Sequence, residues 1–536
     1  MQQETSIVMV PNFFQRNWFP LTSGLICFLW ACLAWLTVTP NQDILADGIQ
    51  AQSVLTDPRI VLSFPGQKHG GPLEYPAILL AEAFAPGNYY ANALIRPFLA
   101  FATGFILALL FGRLFPLAPR WSFIAAIAVG PTIIHGLLGP DGNTVGVWWL
   151  QPNWDMAWLF GVSGALVISQ FLNKDTSGQD FASYWWPVLG GLFFGLGFFA
   201  HPAIILMLIP LAVLVVLRSR FSVKIYLLTI FGSLVGICPA AISYVVNAGV
   251  NTWDPSHGAF ISVDYYSSMG GSVLGLNGVP DYMTVLLPYG LGLSPSTMLI
   301  SGTVQSILMW IFVALIVFSS VFSLVKVLRN REPVGSGAAI ALTWLSVMGT
   351  MVVFITFIDP VWIYSSGLSI LFWLSVGALP SIFALRWLGN SLTIGVITLA
   401  GLSTITHNAK FYGDIPLRIQ EKIDVMHEKK STAQKLEQAG AEFVFGSYYD
   451  VIPIGYASGM NMRTITNKYN RFPLTPAELE LESIPVAINT TPSDPWGEES
   501  LQAAQSGCTP RSETVSDSFG VFQIFDCPPA SVDFRR

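Results

Sequence analysis

Apolar residues in this chain come in blocks long enough to cross a bilayer, and this constrains its fold more than any other feature. The blocks run Leu21–Val38, Ala93–Phe111, Trp121–Leu138, Met156–Leu172, Tyr184–Ala200, Pro202–Leu217, Ile225–Val246, Thr303–Val325, Ala338–Phe357, Ser366–Ile382 and Leu392–Thr406. About 20 helical residues cross the hydrocarbon layer of a membrane. Blocks near that length predict a polytopic α-helical membrane protein of about 11 transmembrane helices. Charged residues make up 11% of the chain, against roughly 25% in soluble domains.

Cations sort the spans into an orientation. With residues 1–20 in the cytoplasm, the inward loops hold Arg113, Arg120, Lys174, Arg218, Arg220, Lys224, Lys326, Arg329, Arg331 and Arg386. The outward segments 139–155 and 247–302 hold no Lys or Arg. Loops rich in cations stay inside, so the expected topology is N-in and C-out. Residues 21–406 form the transmembrane domain, with outer loops 39–92, 139–155 and 247–302. The first span follows a polar leader and ends without a small-residue cleavage motif, which reads as a retained helix rather than a signal peptide.

From His407 onward charges become dense. Thr432–Gly440 reads as a short helix, and Ala441–Gly446, Pro485–Asn489 and Phe519–Phe525 read as strands bounded by turn residues. Residues 407–536 are therefore expected to form a small extracytoplasmic α/β domain. Cys508 and Cys527 can pair if that tail lies outside. Cys27, Cys32 and Cys238 sit in apolar spans, where a thiol is a small hydrophobe. No long basic run points to nucleic acid, and no Cys-x-x-Cys pair points to a metal or redox centre.

The first outer loop gathers Asp43, Asp47, Asp57, Arg59, Lys68, His69 and Glu74. Ionisable groups held against a membrane are costly to desolvate, so such a cluster marks a site. Asp57 and Arg59, in a turn-like Thr-Asp-Pro-Arg, read as solvated loop. Within the spans charges are scarce: Arg96 is the clearest, and His135 reads as a satisfied interior histidine. Chemistry at the outer face is thus favoured over passage through the bilayer. One carboxylate, a few cations and aromatic surface suit sugar transfer from a lipid-linked phosphate. The carboxylate takes the acceptor's proton, a cation steadies the departing phosphate, and Trp148, Trp149 and Trp154 offer faces on which a sugar stacks.

The order of residues in this loop carries a resemblance. Ala46-Asp47-Gly48-Ile49 is followed by Pro65-Gly66-Gln67-Lys68-His69-Gly70-Gly71-Pro72-Leu73-Glu74-Tyr75, leading into the second span. This resembles the polytopic GT-C glycosyltransferases related to protein O-mannosyltransferases and arabinosyltransferase-like enzymes. Those carry Ser-Asp-Glu-Ala, then Tyr-Gly-Gln-x-x-Gly-Gly-x-Leu-Glu-Ala. The segments Gly195–Pro202 and Tyr469–Pro473 are also similar. The resemblance implies a bacterial inner (plasma) membrane enzyme that moves a hexosyl or pentosyl unit from a polyprenyl-phosphate donor. The acceptor would be an extracytoplasmic glycan, lipid or protein. It implies Asp47 as general base, with Asp43 as fallback, and Glu74, Lys68, His69, Arg96 and Trp149 as substrate-binding residues. A divalent cation, Mg or Mn, is compatible with the layout, though no ligand spacing marks a metal site. Gly48 departs from the pattern by standing where relatives carry Glu.

Each assignment has a plainer counterpart. Asp47 can be an N-cap, Gly70, Gly71 and Pro72 can simply build a turn into a helix over 75–84, and Arg96 can snorkel to headgroups. His201 reads as a cap between two spans. The long 247–302 loop, with Trp253 and Tyr265, reads as a partly ordered roof over the site. Against the enzyme stand an inactive paralogue or scaffold subunit, favoured by Gly48, and a membrane transporter of lipid or solute.

Overall fold

The computed structural model describes residues 13–37, 42–55, 73–133, 152–171, 184–201, 205–218, 223–246, 366–383, 385–398, 414–459, 461–466, 474, 476–491, 501–502 and 507–532, with isolated positions 314, 321, 325 and 340. The eighth and ninth expected spans and the loop 247–302 fall outside these residues apart from the isolated positions.

The helices are α1 (Phe13–Thr37), α2 (Gln42–Ser53), α3 (Tyr75–Glu82), α4 (Tyr89–Asn92), α5 (Ile95–Leu114), α6 (Arg120–Ile133), α7 (Pro152–Ile168), α8 (Trp185–Ala200), α9 (Ile205–Arg218), α10 (Val223–Val246), α11 (Ser366–Ile382) and α12 (386–398). Among the described residues, Asn17–Thr37, Tyr89–Leu114 and Val223–Ile242 are long and apolar enough to cross a membrane. Arg120–Val129, Asp155–Ile168 and Trp185–Ala200 are shorter apolar helices.

Two kinds of contact hold this bundle. Aromatic and aliphatic side chains of α1, α5, α6, α7, α9 and α11 form one core, in which the Phe111 and Phe123 rings lie 4.5 Å apart. The pair α8 and α10 instead packs backbone on backbone. A Cβ on Gly195 would fall 2.2 Å from the Ser233 carbonyl, and one on Gly232 would fall 2.0 Å from that of Val188. Small residues allow such approach between apolar helices. The glycines of α8 therefore join helices, in a span that stays helical from Trp185 to Ala200.

The C-terminal region comprises α13 (Ile415–Gln438), β1 (Phe443–Gly446), α14 (Tyr448–Ala457), β2 (Arg463–Thr466), α15 (Pro476–Leu479), β3 (Ile484–Asn489), β4 (Thr509–Asp517), β5 (Gly520–Cys527) and α16 (Pro529–Val532). Its sheet runs β2-β1-β3-β5-β4. The first three strands are parallel, and β5 and β4 add an antiparallel edge. Apolar clusters cover both faces of the sheet, and Cys508 is bonded to Cys527.

The short helix expected at Thr432–Gly440 is a correction: it is the last part of α13, 24 residues long. One helix here faces two partners. Ala433 and Leu436 pack on the sheet, whereas Val425 and Met426 pack on the loop helices. That split blurs the single apolar stripe by which an amphipathic helix is read. Strand β4 escapes sequence reading because it is a mostly exposed edge carrying Pro510, Arg511 and Glu513, the composition that protects sheet edges.

Candidate active site

Four ionisable side chains from four separate elements meet where the loop helices join the bundle. Asp47 lies in the middle of α2, so it does not cap that helix. Glu74 immediately precedes α3; its carbonyl accepts from the Ala77 and Ile78 amides, each at 3.0 Å, and Pro76 sits in the first turn, where a missing N–H costs nothing. Arg96 occupies the first turn of α5 and Asp155 the first turn of α7. Asp47, Glu74, Arg96 and Asp155 are 3%, 0%, 5% and 0% exposed. Burial at this level rules out the snorkelling reading of Arg96.

Asp155, Asp47 and, when ionised, Glu74 lie close enough to stabilise the Arg96 charge. The hydrogen bonding that normally accompanies buried charge is incomplete. Both carboxylate oxygens of Glu74, both of Asp155, and Nε and one terminal nitrogen of Arg96 have no hydrogen-bond partner among the described residues. Each such group costs ~1–3 kcal/mol, and more when charged. Burial pushes the Glu74 carboxyl up to about 8; repulsion from Asp155 adds to the rise and Arg96 opposes it. Glu74 is therefore largely a protonated donor at neutral pH, close to a guanidinium with unused N–H groups.

A second buried cluster lies beside the first. Glu82, at the end of α3, accepts from Gln52 Nε2 at 3.1 Å and from the Gly87 amide at 3.1 Å, and also from the Tyr456 hydroxyl. Burial still pushes it up to about 7. The Asn92 amide donates to the Ile44 carbonyl at 3.0 Å. Lys422 of α13 is 1% exposed; it donates to the Trp35 carbonyl near the end of α1, and its Nζ lies 4.2 Å from the centre of the Tyr90 ring. Burial, reinforced by Arg96, lowers Lys422 to about 7.

The structure thus brings together Asp47, Glu74 and Arg96 from the sequence reading. Asp43 lies on α2 one turn before Asp47, with its side chain outside the described residues. Lys68, His69, His135, Trp148 and Trp149 lie outside them entirely, as does the side chain of Trp154. His201 closes α8, its amide donating to the Gly197 carbonyl at 3.1 Å. Asp155 was missed, although a carboxylate at the edge of an apolar span is the same signal that singled out Arg96. Among the described residues no three His, Cys, Asp or Glu side chains are placed to hold a metal ion.

No protein-family model matches the sequence, and no curated protein matches it. Solved structures do. The crystal structure of ArnT from Cupriavidus metallidurans bound to undecaprenyl phosphate has a TM-score of 0.52 at 10% identity, over 95% of this chain and 98% of that one. The archaeal oligosaccharyltransferase AglB from Archaeoglobus fulgidus, in complex with an inhibitory peptide and a dolichol-phosphate, has a TM-score of 0.42 at 12% identity, over 96% of this chain and 74% of that one. The likeness to ArnT is one of fold, and it makes this chain a membrane protein of GT-C architecture.

Proposed function

We propose that the chain transfers a sugar from a polyprenyl-phosphate donor to an acceptor at the outer face of the membrane. The observation that carries this is the Arg96 guanidinium, buried beside Asp47, Glu74 and Asp155 with N–H groups that have no partner among the described residues. A phosphate oxygen would accept from those donors and so pair the guanidinium. The undecaprenyl phosphate bound to the similarly folded ArnT supports the same class of ligand.

In this reading Asp47 accepts the proton of the acceptor hydroxyl as that oxygen attacks the anomeric carbon. The bond from the anomeric carbon to the phosphate oxygen breaks, and polyprenyl phosphate leaves with the electron pair. Arg96 bears the charge that develops there. A single displacement of this kind inverts the anomeric centre. Protonated Glu74 donates to a sugar hydroxyl or a phosphate oxygen, and Asp155 fixes Arg96. The family resemblance adds Lys68, His69 and Trp149 as donor-binding residues. The Cys508–Cys527 bond supports an oxidising, extracytoplasmic setting for residues 407–536; the N-in orientation and about 11 spans rest on the cation pattern and span lengths of the sequence.

Gly48 does not argue for an inactive paralogue. A Cβ there would meet the Tyr456 ring at 2.6 Å and the Asn92 amide at 2.5 Å. Tyr456 and Asn92 fill the space beside residue 48, so this packing itself requires a glycine there.

The test is transfer from a panel of radiolabelled polyprenyl-phosphate hexoses and pentoses, in membranes holding wild type or Asp47→Asn at equal abundance. Parallel runs with EDTA and with added Mg2+ or Mn2+ report any cation requirement. Wild type should transfer label from one donor, and the variant should lose about 1,000-fold or more. Transfer by wild type no greater than by empty membranes, whatever the donor, would contradict the proposal.

A further inference from the structure

Tyr456 belongs to the C-terminal region, yet its side chain ends among the loop helices. It is 0% exposed, and its ring lies 5.8 Å from that of Tyr89. Its hydroxyl reaches the Glu82 carboxylate and, at 2.8 Å, the Asn88 carbonyl. With Ile452 it packs against Leu45, Ala46 and Ile49 of α2.

The contacts on α2 fall on one face. Ile44 receives the Asn92 amide through its carbonyl, Gly48 lies under the Tyr456 ring, and Gln52 donates to Glu82. These positions are four residues apart, which stacks them along one side of a helix. Asp47 stands one residue from Gly48, about a quarter-turn round the axis. A helix held at three successive turns has a fixed rotation about its own axis, and that rotation sets where the Asp47 carboxylate points.

We infer that Tyr456 is a positioning residue for Asp47: the C-terminal region clamps α2 through the Tyr456–Gly48 contact and the Tyr456–Glu82 hydrogen bond, and sugar transfer requires the clamp closed. This rests on the reading of Asp47 as the base. The phenol and the glycine are complementary parts of one contact. Removing the hydroxyl frees the Glu82 end, and adding a methyl at residue 48 pushes the ring away from α2. Both changes loosen the same helix without touching a group that meets substrate.

The experiment compares wild type, Tyr456→Phe and Gly48→Ala as full-length protein, by donor kinetics and by amide hydrogen exchange. In both variants kcat should fall about tenfold or more while the KM for donor stays within roughly twofold. Exchange should quicken in residues 42–53 and stay unchanged in strands β1 and β3. An unchanged kcat in both variants overturns the inference even if exchange in α2 rises, since the contact would then be structural only. Unchanged exchange across α2 overturns it as well. Absence of transfer by wild type would sink the reading of Asp47 and the role given to Tyr456 in turnover, whereas the exchange comparison would still report whether the clamp exists.

Discussion

Glu74 and Glu82 stand at the two ends of one short helix, both buried, both pushed toward neutrality by that burial, and they are kept in opposite ways. Glu82 has three donors around it. Glu74 has no donor from another of the described residues, its own backbone amide alone lowering its pKa by hydrogen bonding, and Arg96 and Asp155 beside it are left short as well. Folding alone explains the first arrangement, because a satisfied polar network specifies how two regions join. It does not explain the second, which costs stability as it stands. The satisfied carboxylate marks the joint between regions, and the unsatisfied one belongs to the site proposed for the phosphate.

The largest effect that would sharpen this contrast lies at Arg96. Arg96→Gln should lower transfer by roughly 100-fold or more, measured as kcat/KM for the donor. Arg96→Lys should not restore it, since an ammonium cannot reproduce the guanidinium fork.

Stability should separate the two carboxylates next. Glu82→Ala leaves Gln52 and the Gly87 amide without their acceptor, and the Tyr456 hydroxyl with the Asn88 carbonyl alone, and should cost about 2 kcal/mol in denaturant titrations monitored in detergent. Glu74→Ala removes a buried group that nothing satisfies and should cost less than about 1 kcal/mol or stabilise the protein. Equal losses at both positions would break the comparison.

The smallest effect is one of pH. The Glu74 carboxyl rises from an ordinary 4.5 to about 8, so the folded state holds a proton that the unfolded state releases. Its contribution to stability is fully present below about 4.5 and is lost as pH rises through about 8. Transfer that depends on Glu74 as a donor should decline over the same alkaline range. Glu74→Gln, which keeps a donor at every pH, should flatten that decline in a rate profile across pH 6 to 9 without abolishing turnover. A profile identical to wild type would remove Glu74 from the donor role.

Much of the bundle was legible because a span announces itself by length and hydropathy alone. Ser366–Ile382 coincides with α11, and the seventh expected span lies within α10. The loop holding Asp47 and Glu74 stands out for a related reason, since ionisable groups held against a membrane are costly, but the roles given to Asp47 and Arg96 come from the family resemblance. Asp155 obeys the same rule and was read only as the end of a loop. Glu82, Tyr456 and Lys422 could not be found this way. Their meaning depends on contacts such as the 374 positions separating Tyr456 from Glu82, and no periodicity or spacing encodes a partner that distant. Gly48 shows the same limit from the other side, since its missing side chain makes sense only once the Tyr456 ring is seen beside it.

If the cluster around Arg96 receives a lipid phosphate, ligand will protect the folded protein through that guanidinium. The thermal midpoint of purified wild type, Arg96→Gln and Tyr456→Phe, each titrated with undecaprenyl phosphate, measures this. Ligand bound only by the folded state raises the midpoint. The midpoint should rise for wild type and for Tyr456→Phe and not for Arg96→Gln. A rise in Arg96→Gln equal to that of wild type would place the phosphate elsewhere and overturn its assignment to Arg96.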